Sequence, residues 1–228
     1  MKLKILILSD SNANPRSTPL SDMTMLEETY PYLLRNEFKD SLFYQLSFGN
    51  ITTEELLNQA ISYLSHLKFD IIVVQSGIVD CRPEAFTEFQ KSLINAVSGP
   101  FARFLKKHIY NPKLIKWRQI FRVSKRRFRK ALKKFKLIFN SAKIYWVEIS
   151  VSQDYENERP GVHARIHDYN EIIKEIYSDD IIKINKDMLD LDGHNADNLH
   201  MNKKGHQLTG NILADKINLF LKAAEEKI

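Results

Sequence analysis

The sequence predicts an α/β fold, a three-layer αβα sandwich in which helices cover both faces of a five-stranded parallel sheet. Five short runs of apolar and β-branched residues have the length and composition of buried parallel strands. Between these runs, apolar residues recur three and four positions apart, which is typical of amphipathic helices. Strands that alternate with helices in this way indicate a parallel sheet covered on both sides.

The predicted strands share a run of apolar residues that stops at polar or turn-forming residues. The run that ends in Ser9-Asp10-Ser11 comes first in the chain, and the clearest strand, FDIIVV, stops at Gln75. Small polar residues favour a turn and do not continue a core strand. The strands are expected at residues 3–8, 42–46, 69–74, 144–149 and 181–184.

The predicted helices begin at residues that cap or start a helix. Asp22 is the expected N-cap of the first helix, which Pro31 breaks or kinks. Thr52 or Thr53 caps the second helix, and Pro83 suits the first turn of the third. The helices are expected at about residues 22–38, 53–67, 83–97, 101–109, 117–139, 162–177 and 203–221.

The size and composition indicate a single domain over residues 1–228. An apolar fraction of 43% and a charged fraction of 27% are ordinary for a globular protein with a large core. No run approaches the ~18 apolar residues of a membrane span, and the first apolar run is too short for a signal-peptide core. Cys81 is the only cysteine, which excludes an internal disulfide and a cysteine metal cluster. We therefore expect a cytoplasmic location.

A basic amphipathic helical segment, residues 100–140, is expected as an insertion between the third and fourth strands. Between residues 101 and 136 lie 15 of the chain's 34 Lys and Arg and no acid, which leaves 19 basic against 28 acidic residues elsewhere. Such helices commonly lie on anionic membranes, so docking at the inner membrane or on a lipid-linked glycan is one interpretation. A solvated helix packed on the sheet is the second, and a protein or nucleic-acid partner is less favoured; nucleic acid is unlikely.

Four polar motifs follow the predicted strands, where the loops of a parallel sheet collect along one edge. Ser11 follows the first strand, Gly49 the second and residues 77–80 the third, while Asp197 and His200 lie in the loop after the fifth. A His can take a proton from a serine hydroxyl, and a carboxylate on its other nitrogen fixes the tautomer. Each motif alone is weak, since surface loops are rich in such residues.

Together, these motifs resemble those of the SGNH hydrolases, the superfamily of GDSL-like esterases and acyltransferases. Residues 9–11 match the family's Gly-Asp-Ser block, Gly49 its lone glycine, residues 77–80 its Gly-x-Asn-Asp block and residues 197–200 its Asp-x-x-His block. The match runs in order over nearly the whole chain. The resemblance implies the flavodoxin-like SGNH hydrolase fold.

The resemblance also implies a role for each matched residue. Ser11 would be the nucleophile, His200 the general base and Asp197 the residue that orients it. The backbone amides of Ser11 and Gly49 would donate to the oxyanion. The family's chemistry implies no metal and no organic cofactor.

The third block carries the main departure from the family pattern. Val79 stands where the family has an oxyanion asparagine, and losing one such donor typically costs ~10²–10³ in kcat. Asn12 and Asn50 each adjoin a proposed oxyanion residue, so either amide could replace it. The remaining residues of the block, Gly77 and Asp80, are expected with Val79 to line the substrate site, and Asp80 also to hydrogen-bond backbone.

Three other histidines are candidates for a chemical role. His194 could compete for the base role, although its order relative to Asp197 is reversed. His163 and His167 are four residues apart on a predicted helix, a spacing that can bind zinc. Without a third ligand they are better interpreted as surface histidines.

Two functions are carried forward from the sequence. The first is a serine-dependent acyl-ester hydrolase or O-acyltransferase. An acetylated carbohydrate is the expected substrate, because the third block is most similar to members from bacterial surface-polysaccharide pathways. The alternative is a catalytically silent SGNH-like module that docks at a membrane or polysaccharide-assembly complex through its basic helix.

Overall fold

The computed structural model describes residues 2–226, except for the side chains of residues 100–102 and 225. Five parallel strands form one sheet in the order β2-β1-β3-β4-β5, which confirms the predicted sheet. This order puts β1 and β3 side by side in the middle of the sheet. The strands are β1 (Lys4–Ser9), β2 (Leu42–Ser47), β3 (Ile71–Gln75), β4 (Lys143–Val147) and β5 (Ile181–Ile182).

Helices cover both faces of the sheet, as the sequence predicts. The helices are α1 (Tyr30–Glu37), α2 (Thr53–Leu64), α3 (Ile78–Cys81), α4 (Glu88–Ala96), α5 (Pro100–His108), α6 (Pro112–Arg118), α7 (Lys125–Ile138), α8 (Tyr155–Glu158), α9 (Val162–Tyr177), α10 (Asn185–Asp190) and α11 (Lys203–Glu225). On one face α2, α7 and α9 pack over Leu6, Leu8 and Trp146. On the other face α1 and α11 pack over Ile5 and Ile7, since successive side chains of a strand point to opposite faces.

Two predicted helices begin later than expected. Asp22 is not the N-cap of the first α-helix, because residues 20–22 and 26–28 form separate 3-10 turns. The first α-helix begins at Tyr30, with Thr29 as its N-cap. Pro31 therefore lies in the first turn of α1, where its missing N–H breaks no helical hydrogen bond. Pro83 lies outside any helix, and α4 begins after a capping box between Thr87 and Gln90.

The basic segment consists of three helices, α5, α6 and α7, and not of the two predicted stripes. Gln119 adopts a left-handed conformation (φ 47°) and ends α6, so Trp117 does not share a helix with Phe128. The buried side of α7 is apolar: Phe128, Leu132, Phe135 and Phe139 lie in the core. Trp117, by contrast, is 79% exposed.

Within residues 2–226, no helix has the length and apolar character needed to cross a membrane.

Candidate active site

The pairing register of β1 with β2 places two of the predicted site residues next to each other. Ser9 pairs with Ser47 at the carboxyl end of the two strands, and the Phe48 amide donates to the Ser9 carbonyl at 3.1 Å. Ser11 and Gly49 each lie two residues beyond this last pair. The loops that carry them therefore begin at the same edge of the sheet. This is the edge at which open α/β sheets bind ligands.

The turn that carries Ser11 is held by the residue before it. Asp10 is the N-cap of the 3-10 turn Ser11–Ala13, and its Oδ1 accepts from the Asn12 amide at 3.0 Å. The Asp10 amide in turn donates to the Gln75 carbonyl of β3 at 3.1 Å. Burial raises the pKa of Asp10, whose side chain is almost fully enclosed. Asp10 therefore fixes the backbone under Ser11 and does not face solvent.

Ser11, His200 and Asp197 form a hydrogen-bonded chain. The Ser11 Oγ lies 2.7 Å from His200 Nε2, although 189 residues separate them in the sequence. The His200 Nδ1 lies 2.6 Å from Asp197 Oδ2. Because the carboxylate accepts the proton on Nδ1, Nε2 is left to accept the proton of the serine hydroxyl. The structure thus brings together all three residues of the predicted triad.

A tight turn holds Asp197 against His200. The Asp197 Oδ1 accepts from the amides of Leu199 at 3.1 Å and His200 at 2.9 Å, and Asn198 between them is left-handed (φ 61°). Partial burial acts to raise the pKa of Asp197, but the hydrogen bonds from the His200 ring and from these two amides outweigh it and hold the pKa well below its usual range. Arg16, which the sequence reasoning missed, lies 3.7 Å from the same carboxylate.

The amides of Ser11 and Gly49 are the two predicted backbone donors to an oxyanion. Among the described residues, neither the Ser11 nor the Gly49 amide donates a hydrogen bond to the chain. Asn50 and Asn12, the two candidate replacements for the missing asparagine, differ in their surroundings. The exposed Asn50 side chain accepts from Arg82 through Oδ1 at 3.5 Å, while Asn12 is buried and its Oδ1 has no partner.

The third block, which is predicted to line the substrate site, makes its contacts inside the protein. Gly77, Val79 and Asp80 are all buried. Gly77 has a left-handed conformation (φ 136°), and a side chain there would collide with Ile149. Both oxygens of Asp80 accept from the Thr53 amide, at 3.2 and 2.9 Å, and Oδ2 also accepts from the Thr53 hydroxyl at 2.9 Å. The block therefore ties the end of β3 to the start of α2.

His194 and His163 both contact polar groups of the chain, whereas His167 is exposed. His194 Nε2 lies 3.1 Å from the Ser150 hydroxyl, and burial lowers the pKa of His194 to about 4. His163 lies 3.4 Å from the Gln153 carbonyl through Nε2. Within residues 2–226, no group of three or more His, Cys, Asp and Glu side chains is arranged to hold a metal ion.

A cavity of about 600 Å³ opens beside the triad, and the sequence reasoning missed most of its wall. Asn50, Asp197 and Leu199 connect it to the triad and to the Gly49 loop. Its other walls come from the loops after β3 and β4 and from the helices that follow them. Arg82 and Arg159 in these loops belong to no recognised motif, so only their position next to strand ends could have marked them.

Searches by sequence find no match to a family model or to a curated protein. Solved structures match over nearly the full chain. A lipase/acylhydrolase from Enterococcus faecalis is 17% identical with a TM-score of 0.65, and 95% of each chain is covered. A catalytic mutant of an acetylxylan esterase from Geobacillus stearothermophilus is 13% identical with a TM-score of 0.62, and 94% of each chain is covered.

A protein described as a GDSL-like lipase, from Parabacteroides merdae, is 13% identical with a TM-score of 0.58. The alignment covers 92% of this chain and 93% of that one. At such identities a structural likeness establishes the fold. The chain therefore has the SGNH hydrolase fold of the GDSL-like lipases and esterases.

Proposed function

We propose that this protein is a serine ester hydrolase that uses Ser11 as nucleophile. The observation that carries the proposal is the unbroken hydrogen-bonded chain from the Ser11 hydroxyl through the His200 ring to the Asp197 carboxylate. This arrangement lies at the sheet edge where the fold binds ligands. The esterases and lipases that share the fold support the same reaction class.

In the first half of the reaction, His200 Nε2 takes the Ser11 proton as Oγ attacks the ester carbonyl carbon. The carbonyl oxygen becomes an oxyanion, and the amides of Ser11 and Gly49 donate to it. The Asp197 carboxylate stabilises the imidazolium that forms. When the intermediate collapses, His200 gives the proton to the departing alcohol, and the acyl group stays on Ser11.

In the second half, His200 takes a proton from the acceptor as the acceptor attacks the acyl-enzyme, and it returns that proton to the Ser11 Oγ when the bond between Oγ and the acyl carbon breaks. Water as acceptor gives hydrolysis, whereas a sugar hydroxyl gives O-acyl transfer. An acetylated carbohydrate is the proposed substrate. Support for it comes from the acetylxylan esterase of the same fold and from the polar wall of the cavity beside the triad.

Labelling with a fluorophosphonate probe tests the proposal, because the probe reacts only with an activated serine. We expect Ser11 to be labelled, and Ser11→Ala to lose both the labelling and p-nitrophenyl acetate hydrolysis by at least about 10³-fold. Ser150→Ala is the matched control, since Ser150 also contacts a histidine but at 3.1 Å from His194 in a buried site. Equal hydrolysis by the wild type and Ser11→Ala would contradict the proposal.

We also propose that the Asn50 amide replaces the missing oxyanion asparagine. Asn50 lines the cavity and its Oδ1 accepts from Arg82, so its NH₂ group remains available as a donor. Asn50→Ala should then lower kcat by about 10²–10³ with little change in KM. Asn12→Ala is the comparison, because Asn12 is buried and does not line this cavity. Near-full activity of both variants would end the replacement hypothesis.

A docking role at an anionic lipid surface is a second candidate function, which α5 and α6 favour. Phe104 is 58% exposed and Trp117 is 79% exposed, and each lies among lysine and arginine residues of its helix. Exposed aromatic side chains next to cations suit the interface of an anionic bilayer, where each cation contributes ~1 kcal/mol.

Co-sedimentation with phosphatidylserine vesicles at low salt tests the docking role. We expect the wild type to pellet with these vesicles and a Phe104→Ala/Trp117→Ala variant to stay in the supernatant. Leu137→Ala removes a similarly exposed apolar side chain from α7, at 73% exposure, and should not affect pelleting. Failure of the wild type to pellet would rule out docking at an anionic lipid surface. Binding to nucleic acid without binding to vesicles would identify nucleic acid as the partner instead.

A further inference from the structure

The cavity beside the triad is walled by four cations. Arg82 follows α3, Lys91 belongs to α4, Arg122 precedes α7, and Arg159 lies between α8 and α9. Three of their side chains, those of Arg82, Lys91 and Arg122, are only 12 to 14% exposed. Buried cations are costly unless anions pair with them, so the partners of each one indicate its purpose.

Three of the four cations are paired within the protein. Glu84, which is buried, contacts Arg82 at 3.1 Å, Arg122 at 3.8 Å, and Lys91. Glu88 contacts Arg122 at 2.7 Å and Lys91 at 2.8 Å. These two carboxylates tie the loop after α3 and helix α4 to the stretch of the basic segment that precedes α7. Their contacts have a structural explanation.

Arg159 is different because it has no carboxylate partner. Among the described residues, no Asp or Glu oxygen lies within 4 Å of its guanidinium, although the residue is only 8% exposed. Its guanidinium lies over the Tyr110 ring, 5.0 Å from the centroid. The remaining acids of the wall are engaged elsewhere: Glu158 accepts from Asn198 at 3.1 Å, and Asp197 belongs to the triad. Tyr155 is its other close neighbour, so among the described residues this nearly buried positive charge meets two tyrosine side chains and no anionic group.

From this placement we infer that the ester substrate carries a carboxylate or phosphate group, which Arg159 binds in the cavity beside the triad with Arg82 next to it. This inference rests on the proposed function and adds a substrate class to it. A guanidinium presents a planar fork of donors that matches either anion. Asn50, Arg82, Arg159 and Asp197 line one cavity, and Asp197 connects that cavity to the triad.

Three acetate esters that differ in charge test the inference: 4-acetoxybenzamide, 4-acetoxybenzoate and 4-acetoxyphenyl phosphate. The charge preference is the kcat/KM of each anionic ester divided by that of the neutral amide. Comparing this preference between the wild type and Arg159→Met cancels the intrinsic reactivity of the esters. We expect Arg159→Met to lower the preference about 10- to 100-fold for at least one anion, because hydrogen bonds between charged groups have that strength. The anion more affected identifies the group.

Arg165→Met is the matched control. Arg165 also lies over an aromatic ring, 4.5 Å from the centroid of Phe121, and donates to the Gln119 carbonyl at 3.0 Å, but it lies outside the cavity. Its charge preference should equal that of the wild type. Arg159→Lys keeps the charge and should restore part of the preference lost in Arg159→Met. Equal preferences in the wild type and Arg159→Met would overturn the inference.

If Arg159→Met does not fold, the wild type alone still gives an answer. Raising the salt concentration should raise KM for the two anionic esters and leave KM for the amide unchanged. An identical salt response of all three esters would overturn the inference.

Failure of the inference is distinguishable from failure of the proposed function. If Ser11 is labelled by the fluorophosphonate but no charge preference exists, only the substrate class is wrong. If Ser11 is not labelled, calorimetric titration of Ser11→Ala with 4-acetoxybenzoate and with 4-acetoxybenzamide measures anion binding without turnover. Tighter binding of the benzoate would then support the anion site by itself, and equal binding would overturn it.

Discussion

The basic segment contains two regions of similar composition that the structure treats differently. Helix α7 buries Phe128, Leu132 and Phe135 against the sheet, and its cations reach acids of the neighbouring helices. Lys125 pairs with Asp168 of α9, Arg127 with Glu54 of α2 and Arg129 with Glu175 of α9. Helices α5 and α6, by contrast, expose Phe104 and Trp117.

The difference shows that the count of cations and aromatic residues does not decide what a helix does. What decides it is whether the opposite surface offers an apolar groove and acids in register. Helices α2 and α9 supply both to α7, so α7 is a structural layer of the sandwich. Helices α5 and α6 leave aromatic side chains in solvent, and they are the part of the segment where a binding surface is proposed.

The largest expected effect that would sharpen this comparison is a loss of core packing in α7. Phe128→Ala removes a fully buried ring that packs edge-on against Trp146, with centroids 6.5 Å apart. It should lower the free energy of unfolding by about 3–5 kcal/mol. Phe104→Ala in α5 is the control and should change it by at most about 0.5 kcal/mol. Similar losses in urea unfolding of the two variants would break the comparison.

A smaller effect is expected from the hydrogen bond that joins α9 to α7. The buried Tyr177 hydroxyl donates to the Leu132 carbonyl at 3.3 Å. Tyr177→Phe keeps the ring and removes this bond, which should cost about 1 kcal/mol of unfolding free energy. The midpoint of urea unfolding measures it, and Tyr63→Phe is the control because that ring is 66% exposed. No shift in the midpoint would mean that the apolar contacts alone hold α7.

The smallest expected effect concerns the ion pairs on the outer side of α7. Arg127 donates to Glu54 Oε2 through Nε at 3.0 Å and Nη2 at 2.6 Å, but its side chain is 61% exposed. Arg127→Ala should therefore cost only about 0.2–1 kcal/mol, and less at high salt because solvent screens exposed pairs. The exposed neighbour Arg126 is the control residue. Thermal unfolding measures this loss of stability. If it were larger than the loss caused by Phe128→Ala and did not change with salt, the charges of α7 would stabilise the fold more than its apolar side does.

Much of the fold and of the triad could be predicted because the signals are local. Apolar β-branched runs mark strands, and Thr52 is the N-cap of α2 as predicted. Asp197 and His200 are three residues apart, so one turn brings them together without any other part of the chain. Ser11 could be predicted to lie beside these two residues because the topology of a parallel sheet collects the loops at one edge.

The remaining features depend on contacts between distant parts of the chain. Nothing near Val79 in the sequence shows that it faces the core, because that depends on how α3 turns after Gly77. Arg159 is one of many arginines, and only the placement of the acids in the described part of the chain shows that it has no carboxylate partner there. The start of α1 was missed because Asp22 is a good cap residue, whereas Pro31 in the first turn marks the actual start.

Asp80 is fully buried, yet its position has a consequence for the proposed reaction. It anchors the first residue of α2, and the Thr53 hydroxyl also lies 2.9 Å from Ser76 at the end of β3. The loop with Gly49 and Asn50 connects β2 to this anchor. Both of its ends are therefore fixed, which limits its motion. Weakening this anchor would let the donors of the loop move relative to the oxyanion, while the nucleophile and the base stay in place. We therefore expect kcat to fall before substrate affinity does.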